Sequence, residues 1–428
     1  PVVENNGKFS YHGYAVTDMY RIDPRFGTNE LYRELVSEAH GRGLKIIMDH
    51  VSNHIGINHR WVQSLPMPDL LNGSAENHLP AYHGKLELTD IHADSSASIR
   101  LRNGWFSDSM PDLNQRNSFV AKYIAQNTIW WIETTGLDGI REDTYPYVDP
   151  GFASRWAKAI RAEYSQFSIV GEVWIQDPAH LPPYQEGGAG RRMPDTHLNS
   201  LTDFGMFDAF RKVFWDSASI AEIYRCLTKD FLYPDPENLV TFLDNHDTQR
   251  IMRVNHGDVR RTQFALGLLL TLRGIPQIYY GTEIGMTQGP DHGRSRADFP
   301  GGFPGDKRNA FAAEERTEDE KQVFEYVREL LRIRKQHPAL QTGTLVHFPP
   351  KDEVYCYLRI TDDEKILVIA NNNEQPTDVD IRRFKHLLGE GGGIRNIMTG
   401  KFLRAEDEMI RAVPARTVSL YERVVVGR

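Results

Sequence analysis

Apolar and polar positions along the chain change period in a way that separates two kinds of structure. From Thr28 to His40 the apolar residues Leu31, Leu35, Val36 and Ala39 recur at helical spacing, and Gly41 and Gly43 act as stop signals. Lys45-Ile-Ile-Met-Asp-His-Val51 follows, short, apolar and partly β-branched, the pattern of a buried parallel strand, and it ends in the polar run Ser52-Asn53-His54. Phe167 to Trp174, Leu239 to His246 and Ile275 to Tyr280 repeat this, each an apolar strand running into polar residues. Helices are predicted over Phe119–Glu133, Arg260–Leu272 and Glu315–Gln336. Strand, helix, strand with polar strand ends describes a (β/α)8 TIM barrel or a doubly wound sheet. Past Gln341 the pattern turns to alternating segments, Val354–Ile360, Ile366–Ala370 and Thr417–Val424, which predict an antiparallel β-domain.

Spacing locates an insertion. Asp143 and Glu172 stand one strand–helix unit apart, whereas the stretch from Asp49 to Asp143 is far longer and holds no strand of the same type. The intervening residues are rich in His, Pro, Asn and Ser, so they predict an irregular excursion on the active-site side. The expected organisation is a barrel over residues 1–54 and 111–340, an inserted loop domain over 55–110, and a C-terminal β-sandwich over 341–428.

Composition narrows the function classes. With 50 basic against 58 acidic residues and a net charge of −8, the chain offers no basic field for nucleic acid or an anionic membrane, which leaves an uncharged substrate as the fitting partner. No apolar run approaches the roughly 18 residues of a membrane span. Cys226 and Cys356 are the only cysteines, too few for a disulfide scaffold.

Candidate chemistry centres on Gly139-Ile-Arg-Glu-Asp143. On a strand, Arg141 and Asp143 point to the same side. A guanidinium beside a carboxylate lowers its pKa, and an ionised, held carboxylate is what a covalent nucleophile requires. Two further carboxylates, Glu172 and Asp247, sit at the ends of other predicted strands, where a barrel would bring them together.

These segments resemble the conserved regions of the α-amylase family of retaining glycoside hydrolases. Asp49-His-Val-Ser-Asn-His54 is similar to its first region, Gly139 to Asp143 to the second, Gly171-Glu-Val-Trp174 to the third and Phe242-Leu-Asp-Asn-His-Asp247 to the fourth. His12-Gly-Tyr14 and Gly274-Ile-Pro-Gln-Ile-Tyr-Tyr-Gly281 add to the likeness. Met110-Pro-Asp-Leu-Asn114, Arg294 to Gly302 and Asp306 to Phe311 point within it to the neopullulanase and cyclomaltodextrinase group.

The resemblance implies that Asp143 is the nucleophile, Glu172 the acid/base and Asp247 the transition-state stabiliser. It also implies substrate binding by His12, Tyr14, Asp49, His54, Arg141 and His246, with Asp49 holding Arg141. The substrate implied is an α-1,4-linked glucan, in pullulan, cyclodextrins, malto-oligosaccharides or starch. No cofactor is required. Calcium stays open, because Asn53 matches a ligand position of the family while Tyr147 stands where many calcium-binding members carry His. The likeness favours a periplasmic or secreted home. It also implies that two barrel strands precede Pro1, so that six are expected here. Glu142 occupies a place where the family usually has an apolar residue; strand alternation points it away from the pocket, toward the helices. Two other readings are a transglycosylase, in which a sugar replaces water, and a non-catalytic binding module, against which the three carboxylates speak. Oligomeric state is not legible.

Overall fold

The computed structural model describes residues 1–7, 10–188, 193–289, 291–388, 392–404 and 407–424. They divide into two compact units, Pro1–Phe204 with Phe231–Asn238, and Gly205–Asp230 with Leu239–Arg428.

In the first unit, β1 (Val3–Glu4) pairs antiparallel with β2 (Asp18–Ile22). Helix α1 (Asn29–Gly41) is started by Thr28, whose side chain accepts from the amide of Leu31. It buries Tyr32, Val36 and Ala39, but Leu31 and Leu35 lie about half exposed, so its periodicity is only partly a core face. β3 (Ile47–His50) follows, and later α2 (Ser118–Thr135), which Gly136 ends in the left-handed conformation at φ 77°. β4 (Gly139–Glu142), α3 (Pro150–Glu163), β5 (Ser168–Gly171) and β6 (Ser200–Thr202) complete the run. β3, β4, β5 and β6 pair in parallel in that order, with Asp49 opposite Arg141 and Arg141 opposite Val170. Gly139 is required by close approach: a Cβ there would meet the Ser168 carbonyl at 2.7 Å and Ile47 at 2.8 Å. The strand β6 was not legible, because three residues with two hydroxyl side chains carry no apolar run. Between β3 and α2 the chain has only short helical turns and the helix Ser95–Asn103, an irregular excursion.

In the second unit, β7 (Leu239–Phe242) and β8 (Ile275–Gln277) pair in parallel around α4 (Val259–Thr271). Helix α5 (Glu318–Gln336) opens on a capping box of Thr317 and Glu320. Strands β9 (Thr344–His347), β10 (Val354–Ile360), β11 (Lys365–Asn371), β12 (Thr377–Asp380), β13 (Gly393–Asn396), β14 (Phe402–Arg404), β15 (Met409–Val413) and β16 (Thr417–Val424) follow. They form a six-stranded antiparallel sheet, β14-β13-β16-β11-β10-β9, and a separate β12-β15 pair. Alternation along β10 divides the interior, with Tyr355 and Tyr357 packing on α4 and α5 while Cys356 and Leu358 face Val379 and Ile410 of the two-stranded pair. Both cysteines are buried, and burial pushes the Cys356 thiol up to about 11. Among the described residues no helix is long and apolar enough to cross a membrane.

Candidate active site

Alternation along β4 sends Arg141 to the polar end of the first unit, where its guanidinium meets three carboxylates. Arg141 Nη1 donates to Asp143 Oδ1 and to Asp49 Oδ1, both at 2.7 Å, and Nη2 lies 2.9 Å from Glu172 Oε1. Tyr14 donates its hydroxyl to Asp49 Oδ2 at 2.8 Å, and its ring centroid is 5.8 Å from the Arg141 guanidinium carbon. The parallel ladder continues beyond the strands: the Asp143 amide donates to the His50 carbonyl and the Glu172 amide to the Glu142 carbonyl, each at 2.9 Å. Asp49, Arg141, Asp143, Glu172 and Tyr14 therefore form one connected group.

Thr144 was not among the sequence candidates. It holds a left-handed backbone, φ 43° and ψ 39°, unusual for a β-branched residue. In that conformation its amide donates to Glu172 Oε2 at 2.9 Å and its hydroxyl to Asp143 Oδ2 at 3.2 Å. The strain buys a donor for each carboxylate. No sequence signal marks it.

The charge balance overturns one expectation. Arg141 does pull the Asp143 pKa down, but burial, together with Glu172 and Asp49, outweighs it and raises Asp143 well above the usual carboxylate range. One guanidinium cannot neutralise three carboxylates.

His12 adjoins this group, its Nδ1 accepting from the Tyr14 amide at 3.0 Å. His54 is buried and stacked on Phe106 at 5.4 Å; burial pushes its pKa down to about 3, so it is neutral, and its Nε2 has no hydrogen-bond partner. Asn53 is fully buried, and its Oδ1, like Oδ1 of buried Asp112, lacks a partner. Tyr147 donates to or accepts from His83 Nδ1 at 2.8 Å. Among the described residues no cluster of three or more His, Cys, Asp or Glu stands ready to hold a metal ion. Glu142 points to the opposite side of β4, where it meets His50 and Ser52.

In the second unit Asp247 follows β7. Arg296 Nη2 donates to Asp247 Oδ1 at 2.6 Å and Arg296 Nε to the His246 carbonyl at 3.0 Å. His246 Nε2 lies 3.1 Å from Asp247 Oδ2, and His292 Nδ1 is 3.6 Å from Oδ1. Arg296 lies in the quoted stretch Arg294 to Gly302, but nothing in that stretch assigns it to Asp247.

Residues 1–343 match the family described as alpha amylase, catalytic domain, and residues 345–422 match the cyclo-malto-dextrinase C-terminal domain. The chain belongs to the α-amylase family. Its fold is accordingly that of the family, a (β/α)8 barrel with a C-terminal β-sandwich. A cyclomaltodextrinase of Geobacillus thermopakistaniensis is 27% identical over 94% of this chain and 63% of its own length. Neopullulanase 2 of Thermoactinomyces vulgaris is 28% identical over 86% of this chain and 58% of its own. The chain thus spans under two thirds of these curated relatives. Among solved structures, an α-amylase of Geobacillus thermoleovorans complexed with acarbose superposes with a TM-score of 0.80 at 28% identity, covering 99% of this chain and 86% of that one.

Proposed function

We propose that this α-amylase family chain is a retaining α-glucan hydrolase that cleaves α-1,4-glucosidic bonds in pullulan, cyclodextrins, malto-oligosaccharides or starch by double displacement. The observation that carries this reading is the hold of Asp143 and Glu172 on the two arms of one guanidinium, a close placement of the kind a retaining pair needs, about 5 to 5.5 Å between carboxyl groups. In the first step an Asp143 oxygen bonds to the anomeric carbon while the bond to the leaving oxygen breaks and that oxygen takes a proton from Glu172. In the second, water bonds to the same carbon, its proton passes to Glu172, and the bond to Asp143 breaks. The nucleophile must be ionised for the first step, and the Arg141 guanidinium, 2.7 Å away, is the group that favours that form against burial.

Asp247, ion-paired with Arg296, is the third carboxylate, which stabilises the positive charge that develops on the sugar. Neutral His54 with its unpartnered Nε2, together with His12 and His246, hydrogen-bonds sugar hydroxyls, and Tyr14 stacks on the ring. Asp49 orients Arg141. Asn53 and Asp112, each with an unsatisfied buried oxygen, suit a hard cation such as calcium, which would pin the excursion to the end of β3. The proposed organisation is a catalytic barrel over 1–54 and 111–340, an excursion over 55–110 and a β-sandwich over 341–428.

Product analysis on pullulan, α-cyclodextrin and soluble starch, with the anomer recorded, tests this. Panose from pullulan with α-anomeric products supports a neopullulanase-like hydrolase, and longer oligosaccharides built from maltose units favour transglycosylation. Failure to cleave any of them overturns the reading.

A further inference from the structure

Glu142 sits between Arg141 and Asp143 in the chain, yet it is 1% exposed and faces away from them. A buried carboxylate needs partners, and three elements supply them. Ser52, beyond the end of β3, donates its hydroxyl to Glu142 Oε1. His50, opposite Glu142 across the β3–β4 ladder, places Nδ1 2.6 Å from Oε2. The Thr128 hydroxyl of α2 sits 3.0 Å from the Ile124 carbonyl, accepts from Trp156 Nε1 of α3 at 3.0 Å, and lies 3.4 Å from His50 Nε2. Trp156 also stacks parallel to the His50 ring at 5.8 Å. Because the single Thr128 proton goes to Ile124, His50 Nε2 is the donor to Thr128.

His50 and Glu142 are also the residues whose backbone carbonyls hold the amides of Asp143 and Glu172. Their side chains lock together on the back of the sheet while their carbonyls fix the two acids on the front. We propose that Glu142 is a positioning residue: clamped by His50 and Ser52, it prevents β4 from sliding against β3 and so sets where the Asp143 and Glu172 carboxylates stand. The inference rests on the hydrolase reading for its kinetic consequence alone.

The test compares Glu142→Leu with Glu142→Gln. Leucine fills the space but leaves His50 Nδ1 and the Ser52 hydroxyl without this partner; glutamine still accepts from Ser52 and donates its amide to Nδ1 of the same Nε2–H tautomer of His50. Glu142→Leu should slow kcat on maltoheptaose by about tenfold or more with KM within about twofold, since small misplacements of reacting groups act on the transition state. Its amide exchange at Asp143 and Glu172 should speed up by about tenfold, while that at Tyr355 in β10 stays unchanged and reports an intact fold. Glu142→Gln should keep kcat within about threefold. A folded Glu142→Leu protein with unchanged exchange at Asp143 and Glu172 overturns the proposal, as does a glutamine variant as slow as the leucine one. If Glu142→Leu does not fold, Ser52→Ala takes its place, with a several-fold loss of kcat expected and an unchanged kcat counting against the clamp. An inactive wild type would sink the hydrolase reading and leave the exchange comparison to decide this one.

Discussion

The two units each carry acidic residues with basic partners, and the balance of charge differs between them. Around Arg141 three carboxylates share one guanidinium in a buried setting. Around Asp247 one carboxylate, a fifth exposed, faces Arg296, His246 and His292. The same residue type therefore shares one cation with two other carboxylates in one unit, and in the other faces an arginine and two imidazole rings. In the first arrangement burial, with Glu172 and Asp49 beside it, raises the pKa of Asp143; in the second a guanidinium pairs directly with Asp247. A residue's role follows from its neighbours more than from its type.

Breaking the acidic cluster at its centre gives the largest expected effect. Asp143→Asn removes the oxygen that bonds to the sugar and should lower kcat roughly 10⁴-fold with little change in melting temperature, read by reducing-sugar assay and calorimetry. Arg141→Met leaves Asp49, Asp143 and Glu172 buried without their cation. Stability should fall by about 3 to 5 kcal/mol in urea titration at pH 7, and lowering the pH should recover part of it as the carboxylates protonate.

The second unit sharpens the contrast through Asp244, a neighbour of Asp247. Asp244 accepts from the Ile251 amide and from Thr282, and burial pushes its pKa up to about 6. An acid whose pKa is higher folded than unfolded adds stability below its unfolded value, near 3.8, and loses that contribution as the pH rises to about 6. Asp244→Asn should remove that dependence, so the wild type should lose up to about 3 kcal/mol relative to the variant between about pH 4 and 6, measured by denaturant melts. Smaller again is Arg296→Lys. A point charge cannot hold both Asp247 and the His246 carbonyl, so kcat should fall about tenfold and the fold should survive. Thr144→Gly comes last: relief of the left-handed strain offsets about 1 kcal/mol of lost hydrogen bonding, leaving stability nearly unchanged and kcat down a few-fold.

Legibility followed the range of the forces involved. Periodicity located β10 and β16 to the residue and α4 to within one residue at each end, because alternation and helical spacing are local. The placement of Arg141 beside Asp143 was also legible, from a two-residue offset on one strand. What escaped notice depends on distant parts of the chain. Leu31 and Leu35 fit a helix, but periodicity does not say which neighbours arrive to cover them. Glu142 looked anomalous until His50, 92 positions away, supplied its partner. The pKa direction at Asp143 came out opposite to expectation because of its burial and, after that, because Glu172 and Asp49 crowd the same guanidinium, neither of which a single motif contains. Thr144 carries no compositional mark, since its conformation is set by the two acids it serves.

The two buried thiols have a practical side. With Cys226 and Cys356 both inside and the latter's thiol pushed up to about 11, neither offers the exposed thiolate that a maleimide dye attacks. A cysteine introduced at Ile91, 69% exposed in the excursion between β3 and α2, would then be the fast-reacting handle for a fluorophore. Labelling chemistry could be carried out on the otherwise unaltered chain, and any movement of that segment during turnover would be read as light.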